Sequence, residues 1–138
     1  MQRLTQEILR LCREYGECRV EVERMEEARR VKNALESVCS MARQRLDISD
    51  PALLLALLDA CEVTRDEGML QEVLDVVGRN LDRLAVSAES VKLLACCYYY
   101  VEEEECVERA GRMLEELRKM GRGEEELADV ETILEELT

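Results

Sequence analysis

Apolar positions recur along this chain at helical spacing, and over its middle they do so twice in one register. Segments Asp50–Leu84 and Ser87–Met120 carry the same pattern 37 positions apart. Leu54, Leu57, Leu58, Ala60, Cys61, Met69, Leu70, Val73, Val76 and Val77 align with Val91, Leu94, Ala95, Cys97, Tyr98, Cys106, Val107, Ala110, Met113 and Leu114. Pro51 aligns with Ala88 at a shared first-turn position. A period of this length belongs to helix–turn–helix units, each of which buries its apolar face only by stacking on a neighbour.

The same periodicity predicts the other elements. Leu4, Ile8, Leu11, Cys12 and Tyr15 form one stripe, so a first helix is expected from Gln2 to Tyr15, stopping at Gly16. Val31, Leu35, Val38, Cys39, Ala42 and Leu46 set the register of a second, over about Arg19–Arg45. Its charged start supports a solvated helix through pairs such as Glu26–Arg30. Asp50 is a suitable N-cap, with Pro51 at the first helical position, for a helix reaching Cys61. Asp66 is expected to cap a helix over about Glu67–Leu84, and Ser87 one over Ala88–Val101. Another runs from about Glu102 to Met120 and closes at Gly121. Leu127, Val130, Ile133, Leu134 and Leu137 line a last helix, whose start carries Glu124–Glu126 against the dipole.

The first member of each central pair is apolar almost all round. Ala52–Leu58 has no polar residue, and Val91–Val101 is interrupted only by Lys92. Such a helix is either sandwiched or presents a face to a partner. The expected fold is all-α, a short array of antiparallel helix hairpins with about six helices. It forms one domain over 1–138, with a degenerate helix pair at 1–46, hairpins at 50–84 and 87–121, and a capping helix at 124–137.

The stretch Arg109–Gly121, RAGRMLEELRKMG, places a small residue, two bulky ones, an acidic pair, another apolar residue and a closing glycine in order. It resembles the second helix of a pentatricopeptide repeat. LLDAC (Leu57–Cys61) and LLACC (Leu93–Cys97) are similar to its first helix. The chain departs from the pentatricopeptide and tetratricopeptide pattern in a longer link between the two helices and in lacking the proline that often follows. The resemblance implies an α-solenoid that binds rather than catalyses, and for the pentatricopeptide family an organellar RNA role.

Charge sharpens the surface. The 138 residues carry a net −13, but residues 1–46 sum to +2, 47–101 to −6 and 102–138 to −9. An acidic surface repels phosphate and anionic lipid, so neither DNA nor a membrane is an expected partner. No apolar run approaches the length of a membrane span. Seven cysteines, an odd number mostly on apolar helical positions, read as small core residues. Reduced thiols imply an intracellular compartment, cytosol or an organelle matrix such as the mitochondrial one.

Catalysis is not expected. The chain has no His, which removes the commonest general base and the usual partner of a cysteine nucleophile. No Cys-x-x-Cys occurs, and Cys96 and Cys97 diverge by about 100° on a helix, so neither metal nor cofactor is expected. The glutamate runs fan outward instead of enclosing a cation.

Two groups of residues remain as binding candidates. In Tyr98–Tyr100 three successive helical positions cannot share one core; Tyr98 is expected inward, and Tyr99 and Tyr100 towards a partner, with Leu93 and Cys97 on the same apolar helix. Arg3, Arg10, Arg13, Arg29, Arg30 and Lys32 are candidates for RNA or an acidic partner, although Glu7, Glu14, Glu26 and Glu27 lie among them. The expected function is a non-catalytic acidic scaffold or adaptor, a protein-interaction subunit of a larger assembly. The alternative is an organellar ribonucleoprotein subunit touching RNA through its N-terminal half.

Overall fold

The protein is all-α. Its structure, a computed structural model, describes the backbone of residues 2–121 and 124–137, and all of those side chains except at positions 2, 124–127, 130, 134 and 137. Among these residues there are seven α-helices and no strand: α1 Gln2–Cys18, α2 Met25–Arg43, α3 Pro51–Thr64, α4 Glu67–Arg79, α5 Ala88–Val101, α6 Glu104–Lys119 and α7 Glu124–Leu137. Single 3-10 turns lie at Val22–Arg24, before α2, and Leu81–Arg83, after α4. The chain forms two compact units, Met1–Val76 and Val77–Thr138, divided within α4.

In the first unit α1 packs against both α2 and α3, and α2 packs against α3. Ile8, Leu11 and Cys12 of α1, Leu35, Cys39 and Ala42 of α2, and Leu53, Leu54 and Leu57 of α3 are among the buried residues of this core. Burying each leucine is worth about 2 kcal/mol. Arg43 forks onto Glu72 at 2.8 and 2.6 Å, tying α2 to α4. In the second unit α5 packs against α6 and α7, and α6 against α7, where Arg118 pairs with Glu131. The apolar α5 is therefore sandwiched.

Local chemistry explains where the helices begin and end. Asp50 Oδ1 accepts from the Leu53 amide at 3.2 Å, Asp66 Oδ1 from Met69 at 3.0 Å, and Ser87 Oγ from Ser90 at 3.1 Å. The Ser87 hydroxyl in turn donates to Ser90 Oγ at 3.0 Å, which satisfies a fully buried serine. α3 and α5 close on left-handed residues that are not glycine, Arg65 (φ 57°) and Glu102 (φ 53°). Their amides donate back to the Cys61 and Tyr98 carbonyls. The caps at 50 and 87, the left-handed residues at 65 and 102, and the starts of the following helices at 67 and 104 all lie 37 positions apart.

Several boundaries differ from the sequence reading: α3 runs past Cys61 to Thr64, and α4 ends at Arg79, short of Leu84. Gly16 does not stop α1, which continues until Cys18 is buried; nothing there demands a positive φ. Residues 19–24 form a link rather than the start of a long helix, because Val20 and Val22 are exposed and give that stretch no apolar face to bury. Glu102 belongs to the close of α5, not to α6. The expected apolar line of the last helix falls mostly outside the described side chains, as does Glu124–Glu126; Ile133 is half-buried.

Candidate docking surfaces

The end of α5 projects the strongest binding candidates. A turn of about 100° per residue spreads Tyr98, Tyr99 and Tyr100 over more than half of the helix circumference. Tyr98 is half-buried rather than in the core, Tyr100 is half-buried, and Tyr99 is 68% exposed. The Tyr99 and Tyr100 rings meet edge to face, with centroids 5.2 Å apart and planes at 84°, a favourable quadrupole arrangement that holds Tyr99 outward. Val101 follows, also exposed, and Glu102, Glu103, Glu104 and Glu105 wrap the turn into α6, every one of them exposed. This corner combines two aromatics, an aliphatic and four carboxylates within seven residues, Tyr99 to Glu105.

Leu93 and Cys97 do not belong to it. They are 0% and 2% exposed, turned into the second unit's core by the packing of α5. Burial pushes the Cys97 thiol well above its ordinary pKa, with Cys106 and Cys96 adding to the effect. Leu93 and Cys97 are core residues and present nothing to a partner.

The basic candidates divide. Arg10 is already committed, bound to Glu7 through both ends of its fork and to Glu14 at 2.6 Å. These hydrogen bonds hold the Glu7 carboxyl below its ordinary pKa and raise that of Arg10. Arg3, Arg13, Arg29 and Arg30 are exposed and Lys32 half-buried; among the described residues none of them has an ion pair within 4 Å. Arg3 stands apart from Arg29, Arg30 and Lys32. The short link between α1 and α2 makes the two helices antiparallel, so Arg3 stands beside the end of α2 while Arg29, Arg30 and Lys32 stand near its start. Met41, beside Arg3, and Arg29 are twelve residues apart on α2, about 18 Å.

Arg3 instead contributes to a groove within the first unit. Leu4 and Glu7 of α1 face Val38 and Met41 of α2, and Arg3, Gln44 and Arg45 complete the lining. Its volume is about 540 Å³, within the range of pockets that take a few side chains or a small ligand. Met41 is largely exposed there. The sequence reading missed Met41, Gln44 and Arg45. Met41 lies off the Leu35–Cys39–Ala42 stripe, and that lone apolar position on a polar face was the available signal.

No family model matches this chain, and neither a curated protein nor a solved structure matches it significantly. Chemistry must therefore be read from the residues alone. Among the described residues no group of three or more Cys, Asp or Glu is arranged to hold a metal ion. No described helix is long and apolar enough to cross a membrane. None of the seven cysteines is in a disulfide; Cys96 is half-buried and the rest are buried. Burial raises the Cys12 pKa to about 12, that of Cys39 to about 11 and that of Cys61 to about 12. Neighbouring carboxylates, Asp59 at Cys12 and Asp66 at Cys39 and Cys61, add to it. Thiols in that state are protonated and poor nucleophiles.

Proposed function

We propose that this chain is a non-catalytic helical-repeat adaptor, a protein-docking subunit of a larger assembly, akin to tetratricopeptide and pentatricopeptide proteins. The observation that carries the docking reading is Tyr99, a large aromatic residue held two-thirds exposed against Tyr100 at a helix end. Exposing an aromatic ring is unfavourable in a lone molecule, and such residues dominate the energetics of protein interfaces. The 37-residue spacing of caps and left-handed residues supports the repeat reading, because it reproduces local geometry as well as hydropathy. The four glutamates beside Tyr99 would select against anionic partners and orient the encounter.

The test is Tyr99→Ser in the full chain. The melting temperature should stay nearly constant, since the ring contributes little to the core. Capture of the native partner from extract should fall about tenfold, or ~1.4 kcal/mol, the size expected of an aromatic anchor. Unchanged capture removes Tyr99 from any interface and the docking reading with it.

A second reading, an organellar ribonucleoprotein subunit, is favoured by one observation: Arg3, Arg13, Arg29 and Arg30 are exposed without an ion-pair partner among the described residues. The separation of Arg3 from Arg29 and Arg30 and the lack of aromatic residues to stack bases, Tyr15 apart, weigh against it. Binding of single-stranded RNA by the purified chain below about 1 μM, at about 0.15 M salt, would place this reading first.

A further inference from the structure

We propose that the first-unit groove receives the Tyr99–Glu105 corner of a second copy of this chain, giving a head-to-tail association. The proposal rests on the docking reading above and names the partner of that same corner.

The two surfaces match in chemistry. The groove is lined by the apolar Leu4, Val38 and Met41 together with Arg3 and Arg45. The corner offers two exposed apolar side chains, Tyr99 and Val101, followed by four exposed carboxylates. Glu7 would repel those carboxylates if it were free, but its charge is engaged by Arg10. Arg3 and Arg45 have no ion pair within 4 Å among the described residues, so they can fork onto incoming glutamates without breaking an existing bond. The groove contains no aromatic side chain on which a nucleic-acid base could stack. Unless two copies exchange groove and corner reciprocally about a two-fold axis, the contact is heterologous and repeats from copy to copy, closing into a ring or extending as a chain.

Charge reversal tests this directly. Sedimentation velocity of the wild-type chain at about 0.05 M salt should show species heavier than a monomer that grow with concentration and dissociate at about 0.5 M salt. Two doubly substituted chains are then made: Arg3→Glu with Arg45→Glu, and Glu102→Arg with Glu103→Arg. Neither carboxylate in the second pair serves as a helix cap through its side chain, and the counterpart of Glu102, 37 positions earlier, is itself an arginine in the left-handed conformation. Circular dichroism checks that both chains fold; if either does not, Arg3→Gln with Arg45→Gln and Glu102→Gln with Glu103→Gln replace them, each expected to be monomeric. Each reversed chain alone should be monomeric at low salt. An equimolar mixture should associate again, because the reversed groove then meets the two reversed corner positions and the unchanged groove meets the unchanged corner. A wild-type chain that stays monomeric, or reversed chains that associate as well as wild type, overturns the proposal. If the chain is monomeric and Tyr99→Ser still abolishes capture of a different protein, the partner assignment falls and the docking reading stands.

Discussion

The six buried thiols show how burial sets chemistry residue by residue. A thiol whose pKa rises on folding keeps its proton where the unfolded chain has lost it. The associated stability is complete below the ordinary thiol pKa, about 8.5, and declines as pH rises towards the folded values, about 11 at Cys39 and about 12 at Cys12 and Cys61. Denaturant midpoints should therefore be insensitive to these thiols between about pH 7 and 8 and fall steadily above about pH 9. Native labelling with a thiol reagent should modify Cys96 first, with the other six following only as fast as the protein opens. Rapid modification of all seven in the native state would contradict the burial of these side chains. The inward position of most cysteines was readable from their helical register. The inward turn of Leu93 and Cys97 was not, because an all-apolar helix does not reveal whether a neighbour or a partner will cover it.

At the scale of the element, the caps were legible because they are local. Asp50, Asp66 and Ser87 each accept from an amide three residues on, and nothing distant is needed to choose them. Gly16 misled because glycine permits a helix stop without requiring one. The link at 19–24, the groove and the Arg43–Glu72 fork depend on which helix lies beside which, and a period along the chain does not contain that. The left-handed closes of α3 and α5 offer a direct test of strain. A non-glycine residue in this conformation costs about 1–2 kcal/mol, partly offset by the greater freedom of glycine in the unfolded chain. Arg65→Gly and Glu102→Gly should each raise stability by roughly 0.5–1 kcal/mol in urea titrations. A loss of stability in both would mean that those side chains make contacts worth more than the strain.

For the whole molecule, the all-α class followed from periodicity, while the division into two compact units did not. That division falls inside α4, a continuous helix with no glycine- or proline-rich linker to announce it. Stacked units add nearly independent increments of stability, so a chain can be lengthened by a whole unit. Inserting a second copy of residues 50–86 between Val86 and Ser87 should add helix signal in proportion to its length and leave the melting temperature undiminished. A 37-residue insertion that lowers it sharply would mean that the recurrence is local and does not stack. One further consequence concerns ageing rather than architecture. A core containing six free thiols stays reduced only while it remains shut, and each opening presents sulfur to whatever oxidant is present. A sulfenic acid or a mispaired disulfide no longer fits the small apolar site it left. Heat unfolding should be reversible under a reductant and, in air, become a one-way loss whose apparent midpoint shifts with scan rate.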